Sequence, residues 1–195
     1  MKTLVRVDRN AKILTVIHAV GILRLRLGRS VVALAFIAPL TDIMKIVSGG
    51  QTGVDRAALD VALKLGVECG GWCPAGRRDE VGVIPNHYPV QELPNAGPDE
   101  RTLQNVKDSD ATLIIYFETI TGGTEFTLES CRQLRRPNIL IDAGAVSVED
   151  AGRNIAAFTA DHDVRVLNVA GPRQSEWPGG YDYAFRAPEI LVGGL

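Results

Sequence analysis

The chain lacks the residue that would turn its glycine-rich bend into a nucleotide-hydrolysing P-loop: where that motif needs a lysine after glycine, Gly53 is followed by Val54 and Asp55. Walker-type triphosphate hydrolysis is excluded. No Gly-x-Gly-x-x-Gly run is followed about twenty residues on by an acidic residue for a ribose hydroxyl, so a dinucleotide fingerprint is missing too. Cysteine is scarce. Cys69, Cys73 and Cys131 make an odd three with no Cys-x-x-Cys pair, which argues against a disulfide framework or zinc knuckle and for reduced thiols in the cytoplasm. No apolar run reaches the eighteen or so residues of a membrane span. With a formal charge of −2 there is no basic surplus, so neither a membrane nor nucleic acid is an expected partner. His87 has no second histidine at metal-ligand spacing, no Ser–His–Asp or Cys–His set stands out, and no metal site is expected.

What the chain does have is 195 residues, 46% of them apolar, enough for one α/β domain with a good core. Residues 1–43 do not match the rest. Two apolar stretches, Ile13 to Leu23 and Val31 to Leu40, flank Arg24, Arg26 and Arg29. Met44 stands just before the first convincing strand, so residues 1–43 read as a leader or a mis-assigned start, and residues 44–195 as the ligand-binding domain. A basic amphipathic membrane anchor is the functional alternative for the leader.

From Ile46 the chain alternates strand and helix. Val54, Ala57, Ala58, Val61, Ala62 and Leu65 line one face of a helix that opens directly after Ser48-Gly49-Gly50-Gln51-Thr52-Gly53. Glycines without a Cβ let a backbone approach a ligand, and free N–H groups at a helix start attract an anion. A short strand is expected in Val67 to Gly71, then an irregular excursion from Trp72 to Val90. A helix follows over Asp99 to Asp108, then a buried strand over Ala111 to Phe117. Thr121-Gly122-Gly123-Thr124 forms a second glycine turn, with a helix from Glu125 to Arg135 capped by Thr121 or Thr124. The strand Asn138 to Asp142, a helix capped by Ser147, the strand Val164 to Val169 and a third glycine-bearing loop, Ala170 to Gly180, complete the pattern. Pro188 is expected to break the last helix.

Such alternation predicts a single Rossmann-like domain: an open, mostly parallel sheet with helices on both faces. In such sheets ligands bind beyond the carboxyl ends of the strands, where the topology switches direction. Three of those ends carry glycine turns, and one site built from all three is the simplest account. Gly49, Gly50, Gln51, Thr52 and Gly53, with Gly122, Gly123 and Thr124, are the expected phosphate donors. Arg77, Arg78 and Arg173 are candidate guanidinium clamps. Arg101 and Asn105, four apart, would share a helix face toward the same cleft. Trp72 and Trp177 lie in loops, where they could stack on a flat ring or anchor the loop. Cys73 is a conceivable soft ligand, with packing the simpler role.

The segments SGGQTGVDRAALDVAL, GWCPAGRRDEVGVIPNHYPVQE, RTLQNVKDSDATLII, TGGTEFTLE and NVAGPRQSEWPGGY, in that order, resemble the molybdenum (cofactor) carrier family. This is a circularly permuted branch of the SLOG and Lonely Guy-like Rossmann-type superfamily, and the resemblance runs from about Met44 to Tyr183. It implies a cytoplasmic homo-oligomer that binds molybdenum cofactor, or a related phosphorylated pterin or nucleotide-like ligand, and delivers it to a cofactor-accepting enzyme. The alternatives it leaves are a nucleotide sensor and a phosphoribohydrolase that cuts nucleoside monophosphates. For the latter, Glu125, Glu129 and Arg101 would be catalytic. Glu129 falls where those enzymes carry a glutamate in PGGxGTxxE, but Thr121 replaces the proline, and Glu125-Phe126 replaces the later Gly-Thr.

Overall fold

The computed structural model describes residues 22–27, 30–35 and 45–193, with the backbone alone for the first two segments and from residue 188 onward. The chain divides into two units, Met1–Pro39 and Leu40–Leu195. In the first, β1 (Ile22–Leu27) and β2 (Ser30–Ala35) pair as an antiparallel hairpin, with Ile22 opposite Ala35 and Leu27 opposite Ser30. The start at Met44 and most of the two N-terminal apolar stretches lie outside the described residues.

The second unit is an open five-stranded sheet in the order β4-β3-β9-β7-β8, parallel throughout. Its strands are β3 (Lys45–Val47), β4 (Glu68–Gly70), β7 (Ala111–Tyr116), β8 (Asn138–Asp142) and β9 (Val166–Ala170). Leu113, Ile114 and Ile115 of β7 have no exposed surface, as a central strand covered on both faces requires. Five helices surround the sheet: α1 (Val54–Leu65), α2 (Pro98–Lys107), α3 (Gly122–Leu134), α4 (Val148–Asp161) and α5 (Gly180–Gly193). α1 packs on α5 and α5 on α4, while α2 packs on α3, forming the two layers that flank the sheet.

The chain leaves β3 through α1 to β4 on one side, and leaves β7 through α3 to β8 on the other, with β9 between them. The loops after β3 and β7 therefore diverge over the end of β9, which is where a crevice must open.

Several local readings change. The excursion after Trp72 contains a small parallel pair, β5 (Trp72–Cys73) and β6 (Gln91–Glu92), with Trp72 opposite Gln91. α3 begins at Gly122 rather than Glu125, so both glycines form its first turn, and the Thr121 side chain makes no cap bond. Ser147 does cap α4, its Oγ accepting from the Asp150 N–H at 3.1 Å. α5 continues through Pro188 to Gly193. Among the described residues no helix is long and apolar enough to cross a membrane.

Candidate functional site

At the end of β3 the turn is held largely by the protein itself. Gly53 has φ 71°, and a Cβ there would lie 2.6 Å from the Pro172 carbonyl and 2.8 Å from the Gln174 nitrogen. The Gln51 N–H donates to Asp55 Oδ2 at 3.4 Å, Thr52 N–H to Gln51 Oε1 at 3.0 Å, and Val54 N–H to the Pro172 carbonyl at 3.2 Å. Much of the expected anion nest is thus engaged internally. Asp55 is buried in the first turn of α1, and burial pushes its carboxyl pKa up against the opposing pull of Arg101 and Arg56. Arg101 Nη1 lies 3.4 Å from Asp55 Oδ2. A Cβ on Gly49 would collide with that guanidinium, so Gly49 is needed to let Arg101 pass.

The turn before α3 is different. Gly122 and Gly123 are exposed, and a Cβ on either meets nothing within 4 Å. The first N–H groups of a helix have no intrahelical acceptor, and Gly123 of this turn lines a cavity.

Between these turns lies a crevice with two lobes. The larger, about 380 Å³, is walled by Gly49, Gln51, Pro74, Ala75, Ala96, Gly97 and Pro98 and carries Arg78, Arg101 and Arg173 together with the acids Asp79 and Glu80. The smaller, about 110 Å³, reaches Gly123 and Thr127 and also carries Asp55 and Glu176. Gln51, Pro98, Arg101 and Arg173 line both. Arg173 Nε is 3.0 Å from Glu176 Oε1.

Not every expected residue comes here. Arg77, although adjacent to Arg78, donates to the carbonyls of Ile84, Val90, Pro85 and Tyr88, so its guanidinium stiffens its own loop. Thr52 and Gly53 line a separate cavity of about 460 Å³ with Arg56, Val81 and Tyr181. Gly50 holds the turn, with φ 74° and its carbonyl accepting from Arg56 at 3.0 Å. Thr124 is buried within α3. Glu125 and Glu129 are exposed and line neither lobe, and Glu129 pairs with Arg132. Asn105 does not join Arg101 in the cleft: its Oδ1 accepts from the Trp72 N–H at 2.7 Å and its Nδ2 donates to the Trp72 carbonyl at 3.0 Å. β5 covers that end of the helix face. Trp177 stacks on Phe117 at 5.4 Å between ring centres, and Trp72 Nε1 donates to Asp108 Oδ2 at 2.7 Å, so both tryptophans have partners within the fold. Cys69, Cys73 and Cys131 are buried, and burial raises each thiol's pKa. Among the described residues no three His, Cys, Asp or Glu side chains gather as a metal site.

The sequence reading missed Arg56, Asp79 and Glu80. Arg56 Nη2 lies 2.8 Å from Asp79 Oδ2 and its guanidinium sits over the Tyr88 ring. Glu80 accepts from the Thr52 and Ser175 hydroxyls, and from the Ser175 N–H at 3.2 Å, joining the Arg78 loop to the Arg173 loop. Their only signal was position: Arg56 inside the first motif and Asp79-Glu80 directly after the arginine pair.

The match of a family model to residues 46–189 covers this sheet and all three loops. The chain belongs to the circularly permutated YpsA SLOG family. Its likeness to a solved structure is close: a crystal structure at 1.45 Å of a protein from Syntrophus aciditrophicus SB, named a "putative molybdenum carrier protein", is 43% identical. That alignment has a TM-score of 0.76 and covers 79% of this chain and 96% of that one. No protein of curated function matches. For this SLOG family member, the likeness agrees with the α/β fold described above.

Proposed function

We propose that the protein is a carrier for molybdenum cofactor or a closely related phosphorylated pterin, held in the two-lobed crevice and delivered intact to an accepting enzyme. The observation that carries this reading is the convergence of Arg78, Arg101 and Arg173 on one cleft at the switch point of the sheet. Guanidinium forks bind phosphate bidentately, and the free N–H groups at the α3 start favour the same charge. Gly49, Gln51 and Gly123 line the cleft, while Gly50, Thr52, Gly53 and Arg77 do not. The small walls of Pro74, Ala75, Ala96 and Pro98 suit a flat ring.

The donor set fits the phosphate and pterin of such a ligand better than its metal. Every cysteine is buried, so molybdenum would keep the dithiolene sulfurs of its own pterin. Carriage needs no bond to be made or broken, and neither Glu125 nor Glu129 faces the lobes. Mass spectrometry of material copurifying with the protein, expressed in cells that make the cofactor, tests the reading. A phosphorylated pterin is expected. A different bound metabolite, or release of free base from nucleoside monophosphates that disappears in Glu129→Gln, would overturn it.

A further inference from the structure

We propose that the Gln51 carboxamide reads the ring edge of the ligand, donating to a ring carbonyl and so selecting an oxo-substituted ring over its amino-substituted counterpart. This rests on the phosphorylated-pterin reading above and adds what decides between rings. Gln51 Oε1 accepts the N–H of Thr52 at 3.0 Å and the N–H of Glu80 at 2.9 Å. Both partners are backbone donors that cannot accept, so the oxygen is the atom facing them and the NH2 is turned away. Those partners are themselves tied down: the Thr52 hydroxyl donates to Glu80, and Glu80 also binds Ser175. The amide cannot flip without breaking two hydrogen bonds.

What Gln51 has left to offer is a donor. Among the described residues Nε2 donates to no protein atom, and only Arg56 Nε and Arg101 Nε are both buried and unpartnered, so Nε2 reaches solvent. Gln51 lines both lobes of the crevice, and the larger lobe adds the small walls Pro74, Ala75, Ala96 and Pro98. Arg78, Arg101 and Arg173 offer a phosphate charge-assisted donors, roughly twice as strong as neutral ones, so the anion goes to them. A neutral carboxamide held in one orientation instead distinguishes an acceptor from a donor on a ring edge, as carboxamides do with nucleic-acid bases. Opposite a ring amino group its NH2 would meet another donor, and both would be left unpaired.

Calorimetric titration of the full chain at neutral pH with 6-hydroxymethylpterin phosphate and its 4-amino analogue, which carry the same phosphate, tests this. Wild type is expected to bind the oxo ring about tenfold more tightly, as one hydrogen bond made rather than opposed allows. Gln51→Glu keeps an oxygen for the two N–H groups and puts an acceptor where the NH2 stood, so the preference should invert. Its added charge weakens both probes alike and leaves their ratio to be read. Gln51→Met, with neither group, should bring the ratio near one, and it covers the case of Gln51→Glu failing to fold. Wild type without preference for the oxo ring, or a ratio unmoved in the folded variant, overturns the assignment of Gln51 while leaving phosphate binding in place. Failure of wild type to bind either probe overturns the phosphorylated-pterin reading and this inference with it.

Discussion

The two glycine turns, after β3 and before α3, look alike in sequence and differ in what their glycines are for. At Gly49–Gly53 the missing Cβ atoms make room for the protein: Arg101 passes Gly49, and the Pro172–Gln174 backbone presses on Gly53. At Gly122–Gly123 the missing Cβ atoms make room for nothing in the chain. A glycine-rich strand end thus has two physical uses, close packing of neighbouring loops and, at Gly122 with its φ of 56°, a left-handed backbone that enters a helix. Here they have separated onto two turns of one crevice.

Substitution should separate them further. The largest effect is expected for Gly53→Ala, which combines a left-handed φ with a Cβ 2.6 Å from a backbone oxygen. Strain and overpacking together should cost about 3 kcal/mol. At roughly 2–4 °C per kcal/mol for a chain of this size, thermal melting should fall by about 6–12 °C. An unchanged melting temperature would show that the loops are not locked together there.

Arg56→Met comes next. It strips the cation from Asp79, whose side chain is 1% exposed, while leaving the carboxylate its Val81 and Gly82 donors. A loss of about 2 kcal/mol in urea unfolding is expected, below the usual cost of breaking a buried pair because those donors remain.

A third, smaller effect is a pH dependence. Asp55 has a folded pKa above its ordinary 3.8, through burial, so the native state holds its proton more tightly than the unfolded chain. Its contribution to stability is therefore greatest below that ordinary value and declines as pH rises through the raised folded value. Relative to Asp55→Asn, wild type should lose stability over that window and run parallel above it. Wild type gaining stability relative to Asp55→Asn as pH rises would reverse the assignment.

The smallest stability effect belongs to the second turn. Gly123→Ala should melt within about a degree of wild type, since its Cβ enters open space and alanine favours a helix. Its affinity for a phosphate-bearing probe should nonetheless fall, because the added methyl narrows the small lobe.

Much of the fold was legible in the sequence. β7, β8 and β9 appear as apolar runs close to their expected bounds, and Ser147 announces α4, because these signals are local. The start of α3 was not: two glycines read as loop, yet they open the helix. Pro188 reads as a break, yet the α5 backbone continues past it, with Ala184 and Ala187 just before the proline buried in the core. The site was legible as three strand ends, but the roles within it were not. Arg77 and Arg78 are neighbours in the sequence with opposite uses. Arg77 has φ 50° and turns its guanidinium onto its own loop carbonyls, whereas Arg78 lines the cleft. Nothing in residue type or spacing distinguishes them, because the distinction is made by backbone conformation and by Glu80 reaching across to Ser175.

Chemical-shift mapping of the full chain with adenosine 5′-monophosphate tests the division of labour between the two turns most directly. The account predicts that the amides of Gly122, Gly123 and Thr124 and the side chains of Arg101 and Arg173 shift on titration, while the amides of Gly53 and Val54 stay in place. Shifts centred on Gly53 and Val54, with the α3 start unmoved, would contradict it.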